Sequence, residues 1–168
     1  MFIRLSLIVA LLFVFNAAMF AQKAAPQGET TCTFADGKQV TIRYPELPYS
    51  SKSELPDGQP WPADNSPIYL FSQANLSLGK TSIPAGAYSL YTVPGKKDVW
   101  DLVVTRDVKQ DGHYDSAQDV SRVPMQTGTL SNGANAFRAY FGHTGPDTCS
   151  LRLDYGKQRG YTDFGEKK

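Results

Sequence analysis

Cys149-Ser150-Leu151-Arg152-Leu153-Asp154-Tyr155 is the stretch that decides the fold. Cys149, Leu151, Leu153 and Tyr155 alternate with Ser150, Arg152 and Asp154, a period of two that gives one apolar face and one wet face. A helix would spread those four apolar residues around its axis, whereas a half-buried strand collects them on one side. The cysteine falls on the apolar side, where a core disulfide would lie.

The same period recurs upstream. Val40, Ile42 and Tyr44 alternate with Thr41 and Arg43; Ile68-Tyr69-Leu70-Phe71 is a short apolar run, with Leu76 and Leu78 after it. Tyr88-Ser89-Leu90-Tyr91-Thr92-Val93 is rich in β-forming residues. Trp100, Leu102 and Val104 alternate with Asp101 and Val103, and Phe137, Ala139 and Phe141 with Arg138 and Tyr140. Asp36-Gly37, Leu78-Gly79-Lys80, Pro94-Gly95, Asn132-Gly133 and Gly145-Pro146-Asp147 supply turn chemistry between these runs. Eight or so short strands at this spacing predict an all-β, single-domain antiparallel β-sandwich, jelly-roll-like in kind.

The N-terminus reads as an address rather than as fold. Arg4 and the amino terminus are basic, Leu5 to Phe15 is apolar apart from Ser6, and Ala17-Ala18 precede a cleavage site after Ala21. The rival reading, an uncleaved anchor, is short for a hydrocarbon core of ~30 Å. Residues 1–21 are therefore expected to be a signal peptide, 22–30 a short flexible segment and 31–168 the sandwich domain, with no transmembrane segment after cleavage. Export to the periplasm or beyond follows. The 17 basic and 16 acidic residues nearly balance, which argues against a nucleic-acid surface.

Cys32 and Cys149 lie in separate strand-like segments near opposite ends of the mature chain. In an oxidising compartment pairing is their simplest fate, with two unpaired thiols as the alternative. Closing so long a loop would stabilise the fold by about 4–5 kcal/mol on the chain-entropy model. Two distant cysteines with only His113 and His143, each beside a glycine, do not read as a metal site, and the histidines are expected in solvated turns. No cofactor motif is present.

Residues 45–67 depart from the pattern. Pro45, Pro48, Pro56, Pro60, Pro62 and Pro67 remove ladder donors, so this segment is predicted to be a long loop. Trp61 in that polar setting is expected to pin the loop to the body.

The run Ile83-Pro84-Ala85-Gly86-Ala87-Tyr88-Ser89-Leu90-Tyr91-Thr92-Val93-Pro94 resembles the "PAG-x-Y-x-L-aromatic-x-x-P" signature of secreted bacterial proteins grouped as domain of unknown function 2911 (DUF2911). Cys32 to Lys38 is similar to the opening strand of one branch. Tyr114 with Asp119-Val120-Ser121-Arg122 resembles a later tyrosine and D-x-x-R, and Thr148 to Tyr155 and Glu166-Lys167-Lys168 resemble the C-terminal strands. The resemblance implies an envelope or secreted location and a β-sandwich, and it brings no reaction. The family's "RGR"-like patch and "W-R-T-G-A-N-E" motif are replaced by Ser51-Lys52-Ser53-Glu54 and Trp61-Pro62-Ala63-Asp64-Asn65-Ser66, so if the family builds a polar site from that arginine and glutamate, it is expected to be lost or altered in this chain.

No nucleophile elbow or phosphate loop appears and no acid–base pair is read, which weighs against an enzyme. Aromatic side chains can stack on sugar faces or hold a peptide, and Trp61, Tyr69, Tyr91 and Trp100 are the candidates for such a binding role. They are equally the residues that fill sandwich cores, and core packing is the first expectation. Asp119 and Arg122 are expected to form a structural ion pair. The leading expectation is a non-catalytic binding or accessory domain of the bacterial envelope for a carbohydrate or peptide. The alternatives are a hydrolase using Asp101, Asp119 or Asp154, and a structural protein that meets another envelope protein through sheet edges.

Overall fold

A computed structural model describes residues 27–52, 54–62, 66–96, 99–108 and 113–168. The expected signal peptide, residues 1–21, lies outside the described residues. No helix among the described residues is long and apolar enough to cross a membrane.

The strands are β1 (Gln27–Thr33), β2 (Gln39–Pro45), β3 (Ile68–Ser72), β4 (Leu76–Leu78), β5 (Thr81–Ile83), β6 (Gly86–Pro94), β7 (Trp100–Thr105), β8 (Asp119–Gly145) and β9 (Thr148–Glu166). A 3-10 turn, Ser116–Gln118, leads into β8. All neighbours pair antiparallel in the order β1-β2-β3-β6-β7-β8-β9-β4-β5. The alternation read from the sequence selects the faces. Val40 and Ile42, Leu70, Leu90, Leu102 and Val104, and Leu151 and Leu153 all point into one fully buried core.

The sheet turns back on itself, so that β1 and β2 meet β8. The Phe141 amide of β8 donates to Thr30 Oγ1 of β1 at 3.2 Å, and Ala35 donates to the Pro146 carbonyl at 3.0 Å. Cys32 and Cys149 are joined by a disulfide across this contact, with Cα atoms 6.3 Å apart.

Three expectations need correction. Residues 27–30, assigned to a flexible segment, belong to β1, where Gln27 faces Pro45 and Thr30 faces Ile42. Pro45, placed in the loop, closes β2, so the loop proper begins at Glu46. Asn132-Gly133 is not a reversal. It lies inside β8, which runs for 27 residues and serves two partners, β7 through Asp119–Met125 and β9 from Gln126 onward. The register to β9 slips between Thr129 and Ala134, so the turn-prone pair is absorbed as a bulge.

Candidate functional site

Why the proline-rich segment stays on the body follows from its hydrogen bonds and its rings. Backbone amides that prolines cannot supply to a ladder are replaced by isolated pairings. Phe137 donates to the Leu47 carbonyl at 2.8 Å, Tyr49 donates to the Asn135 carbonyl at 2.8 Å, and Pro48 bridges Ala136. Further along, Trp61 and Thr92 exchange both backbone bonds at 2.7 Å, and Thr92 Oγ1 donates to the Trp61 carbonyl at 3.1 Å.

The indole of Trp61, only 8% exposed, packs edge-on to Phe137 with centroids 4.9 Å apart and lies 4.8 Å from Tyr155. Tyr49 stands edge-on to the other side of Tyr155 at 5.2 Å. Its ring occupies the space where a side chain of Gly156 would be: a Cβ there would come within 2.4 Å of Tyr49. Gly156 also has φ +58°, a conformation that costs an L residue about 1–2 kcal/mol.

Between these two pins the loop stands off the sheet and walls an open cleft of about 590 Å³. Tyr49 gives it an exposed aromatic ring with Trp100 and Tyr155 buried behind, and Glu54, Asp57, Lys96 and Lys157 give it charge of both signs. Trp100, 2% exposed, is seated the way Tyr49 is, over a glycine: a Cβ on Gly160 would lie 2.6 Å from its ring. The Lys96–Asp57 pair at the rim is 4.0 Å long and well solvated, so it contributes little to stability.

A second cleft of about 380 Å³ lies where Pro56, Gln59, Pro60 and Pro62 face Tyr91 and Tyr114. Tyr91 meets Tyr114 edge-on at 5.2 Å. The Tyr114 hydroxyl donates to Asp119 Oδ2 at 2.7 Å and accepts from Arg122 Nη2 at 3.1 Å. Burial first, then the bond donated to Asp119, raises the Tyr114 phenol above its ordinary pKa. Arg122 also reaches Asp101 at 3.6 Å and Asp119 at 3.9 Å. Asp119 and Arg122 therefore sit in a four-residue network rather than in an isolated pair.

The four aromatic candidates do not form one platform. Trp61 is a buried pin, Trp100 floors the larger cleft and Tyr91 lines the smaller one. Tyr69 stands on β3 beside Phe71, 6.3 Å away, outside both clefts, and burial raises its phenol pKa. The three candidate carboxylates are each engaged by arginine. Asp154 is fully buried, taking Arg159 Nε at 2.6 Å and Arg159 Nη2 at 2.9 Å, with Arg138 at 3.5 Å. The bond to Asp154 raises Arg159 above the usual guanidinium range. Asp101 and Asp119 share Arg122, which turns them toward a cation rather than toward a substrate.

Sequence reasoning missed Tyr49, Lys96 and Lys157. The one available signal was Gly156, which breaks the alternation of β9 immediately after Tyr155. It also placed His143 in a solvated turn. The residue lies instead on β8 directly opposite Cys149, exposed, with Nε2 3.5 Å and Nδ1 3.7 Å from Cys32 Sγ.

A family model described as a protein of unknown function (DUF2911) matches residues 26–162. No curated protein and no solved structure matches the chain.

Proposed function

The chain belongs to the DUF2911 family of proteins of unknown function, and from that premise we propose that it is an exported, non-catalytic binding domain of the bacterial cell envelope. The larger cleft takes a short carbohydrate. In this reading the returning sheet is a β-sandwich of jelly-roll kind, with the β1–β2 side laid over β8 and β9. The apolar run before Ala21 supports export.

The observation that carries the binding reading is the composition of the 590 Å³ cleft. Its volume suits a small ligand, and the exposed ring of Tyr49, backed by the buried Trp100 and Tyr155, lies next to Glu54, Asp57, Lys96 and Lys157. Sugar rings present an apolar face and a rim of hydroxyls. An aromatic surface bordered by carboxylates and ammonium groups matches both at once. The loop is already fastened at Trp61 and Tyr49, so little ordering is needed on binding, and preorganisation favours affinity.

The test is calorimetric titration of residues 22–168 with oligosaccharides and soluble peptidoglycan fragments. Saturable binding is expected, weakened by Tyr49→Ala at least about tenfold, or 1.4 kcal/mol. Absence of heat across the whole panel, or binding that Tyr49→Ala leaves intact, overturns the reading.

A further inference from the structure

The end of the molecule away from the cleft holds the disulfide together with a histidine that neither the fold nor the proposed ligand uses. Three strands bring together Cys32 of β1, His143 of β8 and Cys149 of β9. The two sulfurs and the imidazole nitrogens can be chosen so that one donor atom from each residue lies within 4.8 Å of the others. His143 faces Cys149 directly in the β8–β9 ladder. Its Nε2 is already 3.5 Å from Cys32 Sγ. Donors held at about 2.0–2.3 Å from one metal ion are themselves about 3.5–4 Å apart, so the Nε2–Cys32 Sγ spacing needs no adjustment, while the two sulfurs, bonded to each other here, must separate on reduction.

We propose that reduction of the Cys32–Cys149 disulfide opens a site for monovalent copper, ligated by both cysteine sulfurs and one nitrogen of His143. The reductant is an external dithiol. Its two thiols give up two electrons and two protons, its own disulfide forms, and the Cys32–Cys149 bond is replaced by two thiols. Copper then displaces the two thiol protons to solvent and binds two thiolates and a neutral imidazole.

The donor set selects the metal. Two thiolates make the site soft, which favours monovalent copper or zinc over magnesium, calcium or manganese. Zinc in closed sites takes four protein ligands, and here there are three. Monovalent copper is satisfied by three donors. Both sulfurs are buried, at 2% and 0% exposure, while the histidine is exposed, so the ion would enter past the imidazole and come to rest on shielded sulfur. The donors stand on strands rather than on loops, which holds their relative positions. In the oxidised chain the sulfurs are bonded to each other and the site is closed. Copper binding would thus report the redox state of the disulfide.

The experiment is anaerobic titration of monovalent copper into the mature chain reduced with a phosphine, in competition with a chromophoric copper chelator. One ion per chain and a thiolate-to-copper absorption band are expected, with neither in the oxidised chain. Cys149→Ser should abolish the band. His143→Ala should weaken binding at least about tenfold, since even residues that only support a metal ligand are worth that much.

Thermal unfolding of the same reduced samples guards against the case in which the reduced chain is only marginally folded. Copper should raise the transition of the reduced wild type, or restore it if reduction has abolished it, and should do so much less for His143→Ala. Equal shifts in the two proteins, no shift in either, or zinc binding as tightly as copper would overturn the proposal.

Discussion

The two places where residues far apart in the chain are fastened together use opposite physics. At one, a covalent bond joins β1 to β9 through Cys32 and Cys149. At the other, six residues further along β9 and so about 20 Å away, Tyr155 and Gly156 receive Trp61 and Tyr49 from the loop with no covalent tie. A disulfide acts mainly by restricting the unfolded chain and leaves the native contacts much as they are. Ring packing acts in the native state alone, and any change in it moves atoms. The cleft is at the packed end. A surface that must keep a particular shape is held by contacts that define shape, and a sheet that must not open is held by a bond that limits entropy.

The largest effect that this contrast predicts is at the covalent end. Cys32→Ser/Cys149→Ser should lower the unfolding free energy by about 4–5 kcal/mol, the entropy of so long a closed loop. Chemical denaturation measures it. Affinity for a ligand of the cleft should stay within experimental error, because no cleft residue moves. A loss under about 1 kcal/mol would mean that the unfolded chain is already constrained near these residues, and would remove one side of the contrast. A large loss of affinity would show that the two ends are mechanically coupled.

Next comes Trp61→Ala. Removing an indole that is buried between Phe137 and Tyr155 should cost about 3–4 kcal/mol, the lower part of the range for large aromatic truncations, because a loop can partly collapse into the space. Here both readouts should change, stability by denaturation and affinity by titration. If stability fell and affinity did not, the Tyr49 pin alone would be holding the cleft wall.

The sequence reveals these two fastenings unequally, for physical reasons. The disulfide is legible because the pairing of two cysteines in a chain expected to be exported is a matter of chemistry and count. The apolar faces of β2, β7 and β9 are legible because period-two alternation is a local property, whereas the face of β9 expected to be wet is not, since Ser150 and Asp154 are buried there. Trp61 is legible as a pin because a large apolar ring in a polar loop must go somewhere. What it packs on is not, since Phe137 and Tyr155 are reached only through the fold. The contacts of Tyr49 with Gly156 and of Trp100 with Gly160 are hidden for the same reason: a missing side chain carries no pattern. His143 was misplaced because its neighbour is a strand distant in sequence, Cys32. The single strand Asp119–Gly145 reads as several pieces because Asn132-Gly133 has the chemistry of a turn, and only pairing with β9 shows that it is a bulge.

The smallest expected effect on stability is the sharpest probe of the packed end, because two glycines separate its causes. Gly156 and Gly37 both have left-handed backbone, with φ +58° and +89°. An added Cβ at Gly37 meets nothing within 4 Å, whereas at Gly156 it meets the Tyr49 ring at 2.4 Å. Gly37→Ala should therefore show backbone strain alone, about 1–2 kcal/mol. Gly156→Ala should show similar strain plus displacement of Tyr49, which can swing outward because the ring is partly exposed. That escape keeps the stability difference between the two variants small, within about 1 kcal/mol of overpacking. Affinity should separate them: unchanged for Gly37→Ala, and reduced at least about tenfold for Gly156→Ala. If both variants bound equally well, the position of Tyr49 would not shape the ligand surface, and the packed end would be only a second fastening of the sheet.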